Sequence, residues 1–168
     1  LDVLNEIQRH ISCSNTDTFK SFWNEDGHGK VTSSKNEESC RDRLIEYLES
    51  KLSSFSLYLE PESHMARDKR ADILIYGEDK MKLPIEVKKE GHRELWTAAQ
   101  EQLQRLYTSG INSDGYGIYL VFWFSGRQVI RCPNGEKPKS PLELEAMLKE
   151  TFSSEKIKVF VMDVSGSY

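Results

Sequence analysis

Three charged side chains stand where a folded chain normally places apolar ones. Asp72 lies within RADILIY, and Glu86 and Lys88 lie within LPIEVKK. A charge inside a strand is costly unless it is paired or bound to a metal. Period-two geometry puts Glu86 and Lys88 on one strand face, with Ile85 and Val87 on the other, while Asp72 shares its face with Leu74 and Tyr76. Asp72 and Glu86 each stand seven residues from Asp79. A symmetric turn over Gly77 to Met81 therefore sets them opposite each other, with Cβ atoms about 4.5–5.5 Å apart. Two carboxylates that close repel unless a cation lies between them, and an all-oxygen pair with room for water suits Mg²⁺ or Mn²⁺. Lys88, beside that cation, could orient or deprotonate a metal-bound water, or offset charge on a phosphate. Such a set hydrolyses phosphodiesters without a covalent nucleophile. The plain alternative is a solvated sheet face whose ion pairs are worth at most about 1 kcal/mol.

The elements that must position these residues follow from periodicity. Leu1, Leu4, Ile7 and Ile11 mark a helix, and residues 12–34, rich in Ser, Asn, Thr, Asp and Gly, read as a long loop with at most one helical turn. A second helix runs from Asn36, its N-cap, to Lys51, carrying Glu37 and Glu38 in its first turn. Strands are expected at Ser56–Leu59, Arg70–Tyr76 and Leu83–Lys88. A helix from Arg93 to Ser109 follows, with Leu95, Trp96, Ala99, Leu103, Leu106 and Tyr107 as its stripe. Tyr116–Phe124 reads as a central strand, Ser140–Phe152 as a helix and Lys156–Val164 as a last strand. The order predicts an α/β domain, a mixed central sheet flanked by helices. One domain over 1–168 is expected: an N-terminal extension over 1–35, a core over 36–124 and a C-terminal helix and strand over 125–168.

The spacing from Asp72 to Glu86-Val87-Lys88, on a hairpin followed by a helix, resembles the PD-(D/E)xK nuclease superfamily, with Ala71 where that pattern has Pro. The resemblance implies a restriction-endonuclease-like fold and metal-dependent hydrolysis of phosphodiester bonds in DNA. In it Asp72 and Glu86 bind Mg²⁺ (or Mn²⁺), the carbonyl of Val87 adds a ligand, and Lys88 is catalytic. It also implies a glutamate on the preceding helix. Glu37 matches by face, seven residues before Leu44, with Glu38 and Glu46 as competitors and a helix N-terminal charge as the other role for Glu37. A Gln and a Tyr on the following helix correspond to Gln102 and Tyr107, at a spacing that departs from the usual one and leaves Gln100 in competition. LPIEVKKEGHRELWTAAQEQLQRLY followed by DGYGIYLVFWF resembles, more narrowly, nuclease effector domains of multidomain bacterial anti-phage defence proteins.

Composition bounds the rest. The chain has 168 residues, 38% apolar and 30% charged, enough for a buried core and too apolar for disorder. Its longest apolar run, Ile118–Phe124, is seven residues, far short of the roughly 20 of a membrane span. Three cysteines, Cys13, Cys40 and Cys132, without zinc-type spacing, point to a reduced, cytoplasmic setting and no zinc site. The net charge of −4 speaks against a constitutive nucleic-acid binder, although residues 63–93 carry eight Lys or Arg against six acids. Within that stretch Arg67, Lys69, Arg70, Lys89 and Arg93 form a candidate phosphate-tracking rim or a solvated face. His64 and His92 read as surface histidines. The expected partners are DNA, double-stranded first and with RNA as the alternative, and further domains of a parent protein, which a start at Leu1 also suggests; oligomers are compatible with this. The rival reading is a silent nuclease-like domain that binds nucleic acid or a partner protein without cutting.

Overall fold

The computed structural model describes residues 1–65, 69–77, 81–103, 115–152 and 154–166, and for residues 62–65, 69 and 70 the backbone alone. The main sheet has five strands in spatial and chain order: β3 (Leu57–Met65), β4 (Lys69–Gly77), β5 (Lys82–Lys89), β6 (Gly117–Trp123) and β7 (Ile157–Asp163). β3, β4 and β5 run antiparallel, whereas β5, β6 and β7 run parallel. The sheet is thus mixed, as the sequence predicts. β6 is buried at every position, which is what a strand covered on both faces requires.

Each face has its own core. On one, α1 (Asp2–Cys13) and α2 (Glu37–Leu52) pack Leu4, Ile7, Ile11, Leu44 and Leu48 against Ile73, Ile85, Val87, Leu120 and Phe122. On the other, Leu95, Ala99 and Leu103, together with Leu144 and Leu148 of α3 (Pro141–Phe152), cover Tyr119, Val121 and Val159. The Asn36 side chain accepts from the Ser39 N–H, the N-cap expected for α2.

Three stretches differ from the sequence reading. Residues 12–34 hold a 3₁₀ turn, Thr18–Phe22, and a hairpin of β1 (Trp23–Glu25) and β2 (Val31–Ser34). Its strands carry no apolar alternation. Its turn forms because Asp26 accepts from the N–H groups of His28 and Lys30, with Gly29 at φ 76°. The helix expected from Arg93 is irregular at first: residues 93–97 are turns, and Ala99–Leu103 is a wide π-helical turn. Leu95, Trp96, Ala98 and Ala99 are all buried, so this segment has apolar groups on more sides than one stripe can serve. Tyr107 and the rest of that helix, like Arg67 and Asp79, lie outside the described residues. β3 is also longer than expected. It is an edge strand, which tolerates Pro61 and needs less apolar signal.

Candidate active site

The β4–β5 hairpin sets the site. Its pairs, from Tyr76↔Lys82 to Ile73↔Ile85, are all centred on residue 79, so the register inferred from turn symmetry is the one formed. The ladder ends one pair before Asp72 and Glu86. At that point the Asp72 carboxylate takes over as acceptor, receiving the Val87 N–H at 2.8 Å. Beyond it β5 pairs with β6, placing Glu86 beside Tyr119 and Lys88 beside Val121.

Four oxygens converge on the Lys88 ammonium. Its Nζ lies 2.5 Å from Glu86 Oε1 and 3.0 Å from the Val87 carbonyl. Glu37 Oε1 is at 3.7 Å and Asp72 Oδ2 at 3.8 Å. Glu37, the first residue of α2, reaches the sheet with its other oxygen too, which accepts from the Lys89 N–H at 3.1 Å. Gln102, in the π-helical turn, faces Glu86. With its NH₂ turned to the Glu86 carboxyl, it donates to Oε1 and Oε2, the arrangement that suits the ionised form, whose oxygens only accept.

These neighbours oppose one another electrostatically. Burial pushes the Glu86 carboxyl up from its ordinary 4.5 to about 8. Asp72 adds to the rise by repulsion and by a hydrogen bond, and Lys88 pulls the other way. Burial disfavours the Lys88 ammonium, but the charges of Glu86, Asp72 and Glu37 outweigh it, so its pKa is raised. Two acids and a lysine held this way, with one acid poised near neutrality, are what a cation-exchanging or proton-handling site needs.

Among the described residues no three or more His, Cys, Asp or Glu side chains close into a metal cage. The donor set suits a hard cation nonetheless. Asp72, Glu86 and the Val87 carbonyl already surround one cationic group, and Mg²⁺ typically takes one or two carboxylates and keeps several waters.

The other candidates are placed elsewhere. Glu38 lies 3.9 Å from Arg41, Glu46 pairs with Arg43, and Gln100 is exposed, so Glu37 and Gln102 are the members of each set that meet the cluster. Lys89 points to the opposite face, its ammonium on Ser34 Oγ and the Lys35 carbonyl and 5.0 Å from the centre of the Phe124 ring. Arg93 is 87% exposed at its side chain and 3.4 Å from Glu94. Lys69 and Arg70 lie in β4, their side chains outside the described set. Sequence reasoning missed Glu90, buried just past β5. Its Oε2 accepts from the N–H groups of Phe124, Ser125 and Gly126, which holds the β6 exit loop. Its even spacing from Glu86 and Lys88 was the available signal.

The fold and cluster define an α/β domain built around a buried acid–lysine site. Residues 1–126 match the model of the family described as Domain of unknown function (DUF8371), and the chain belongs to that family. No curated protein matches the chain. Among solved structures it is similar to "The structure of Pyrococcus Furiosus SfsA in complex with Ca2+", with 16% identity and a TM-score of 0.47 over 84% of this chain. It spans 63% of the length of that SfsA chain. It is also similar to the restriction endonuclease PspGI in a substrate DNA complex, with 14% identity and a TM-score of 0.35, covering 94% of this chain and 88% of that one.

Proposed function

We propose that this domain is a divalent-metal-dependent nuclease that hydrolyses phosphodiester bonds in DNA. The carrying observation is the convergence of Glu86, Asp72, Glu37 and the Val87 carbonyl on the Lys88 ammonium. Asp72, Glu86 and the Val87 carbonyl would hold Mg²⁺ or Mn²⁺; when bound, such an ion acidifies water and offsets phosphate charge. A bound cation would compete with Lys88 for those oxygens, and the Lys88 ammonium, tethered to β5, would then orient the attacking water or meet charge on the phosphoryl oxygens. Glu37 fixes the Lys89 N–H and so the end of β5. Gln102 favours the ionised form of Glu86, the form a metal requires.

Plasmid incubated with the purified chain should be cut in Mg²⁺ or Mn²⁺ and left intact in EDTA, and Lys88→Ala and Glu86→Gln should each abolish cutting. Unchanged cutting by both variants would overturn the proposal. The rival, a binding-only domain, takes its support from the same cluster, since Lys88 already satisfies the acids. It predicts equal DNA binding in EDTA and Mg²⁺ with no cleavage. The resemblance of residues 83–124 to effector domains supports a place in a larger cytoplasmic defence protein whose other domains control cutting. No helix among the described residues is long and apolar enough to cross a membrane.

A further inference from the structure

Residues 125–139, in the connection from β6 to α3, carry Arg127, Arg131, Lys137 and Lys139 against one acid, Glu136, in a chain of net charge −4. Glu136 is engaged by Asn134 rather than by a cation. Lys137 Nζ donates to the Arg127 carbonyl at 3.2 Å, which brings these two basic residues together. Arg127 is exposed and Lys137 half-buried, and no ion pair among the described residues includes either. Neighbouring cations without an acid are stabilised by an anion set against them.

This loop and β2 line one groove. Thr32, Ser33 and Ser34 come from β2, and Ser125, Arg127 and Gln128 from the loop. Glu90, Phe124 and Ser165, which follow β5, β6 and β7, line it as well. The groove therefore lies outside the carboxyl ends of the three parallel strands, where open α/β sheets take their ligands. Lys88 stands at that same end of β5. Glu90 adds no uncompensated charge, since its Oε2 accepts from three N–H groups. The way from the groove to the site is open. The side chains of Glu37 and Asp72 are 32% and 28% exposed, whereas those of Glu86 and Lys88 are buried, so the cluster opens on the side of the first two. Residues 32–37 join groove to cluster, exposed or half-buried throughout. Lys89 spans the two: its N–H donates to Glu37 and its Nζ to Ser34 Oγ.

We propose that this groove holds the phosphate backbone of the DNA beside the scissile bond, with Arg127 and Lys137 set against its phosphates. The hydroxyls of Thr32, Ser33 and Ser125 and the Gln128 amide then bond its oxygens. The inference rests on the nuclease reading above and deepens it to a substrate gripped through its backbone, without regard to sequence. The cluster itself creates the requirement. Asp72, Glu86 and Glu37 against one lysine repel phosphate, so the cations that hold the strand must stand outside it. Hydroxyl, amide and guanidinium groups are the ordinary partners of phosphate and sugar, and such contacts carry no base information.

The test reads salt dependence rather than cutting. Binding of a short DNA duplex is followed by fluorescence anisotropy from about 50 to 200 mM salt, with Ca²⁺ in place of Mg²⁺. Each neutralised phosphate adds about 0.9 to the slope of log affinity against log salt. Arg127→Ala and Lys137→Ala, confirmed as folded by circular dichroism, should each flatten that slope by about one, and together by about two, equally for duplexes of unrelated sequence. Lys149→Ala, on α3 near the opposite end of β7, should keep the wild-type slope. No wild-type binding at the lowest salt, a slope unaltered in the double variant, or a slope flattened as much by Lys149→Ala overturns the groove. A chain that gives one of those results yet cuts DNA in Mg²⁺ loses the groove and keeps the nuclease reading. A chain that gives the expected slopes and never cuts upholds the groove and overturns the nuclease reading, so the two failures are distinguishable.

Discussion

Glu86 and Glu90 stand four residues apart on the same stretch of chain, and each is 3% exposed. Their surroundings are opposite. Glu90 accepts from three consecutive backbone N–H groups and completes a loop. Glu86 meets a second carboxylate, a buried ammonium and a side-chain amide, and its carboxyl is pushed up to about 8. Equal burial thus serves two purposes. Where donors are fixed and sufficient, a buried acid is structural. Where another acid faces it and the main donor is a displaceable cation, the chain carries an electrostatic cost that a metal ion would relieve.

The largest expected effect breaks this contrast at Glu86 and its partner. Glu86→Gln and Lys88→Ala should each lower DNA cleavage by roughly 10²–10⁴-fold, the usual worth of a positioned acid, base or charge, while circular dichroism still reports a folded chain. Glu90→Ala should do the reverse. It leaves the buried Phe124 N–H and the part-buried N–H groups of Ser125 and Gly126 without their acceptor, at a cost of about 1–3 kcal/mol, so its unfolding midpoint should fall while cleavage per folded molecule persists.

A pH series sharpens the comparison. Between pH 4.5 and about 8 the folded chain holds a proton on Glu86 that the unfolded chain releases. Stability in EDTA should therefore decline as pH rises through that window and level off above it. Glu86→Gln mimics the protonated acid, so its gain in thermal stability over wild type should grow from pH 5 to pH 9. A constant difference across the series would contradict the raised carboxyl. Gln102→Leu is expected to have the smallest effect. Losing a donor to a charged acceptor should cost about tenfold in cleavage at neutral pH, with partial recovery at higher pH as Glu86 ionises.

Much of this was legible in the sequence because the hairpin is symmetric. Asp72 and Glu86, equidistant from Asp79, fixed a register that the observed pairs share. Helical spacing back from Leu44 singled out Glu37, which reaches Lys88 from the first turn of α2. Gln102 arrives by a route that periodicity does not describe, since a π-helical turn shifts the faces of the segment that carries it. The β1–β2 hairpin escaped notice because its strands are polar, and its turn depends on Asp26 side-chain bonds rather than on a hydrophobic pattern. Glu90 looked like one more charge in a charged stretch. Its partners lie 34 to 36 residues away in sequence, and nothing local announces them.

Calorimetric titration of the metal-free chain with Mn²⁺ at pH 8 tests the central claim most directly. A saturable site that disappears in both Asp72→Asn and Glu86→Gln, and survives in Glu90→Gln, is the predicted result. No binding by the wild-type chain at millimolar Mn²⁺, or binding that both cluster variants retain, would contradict it.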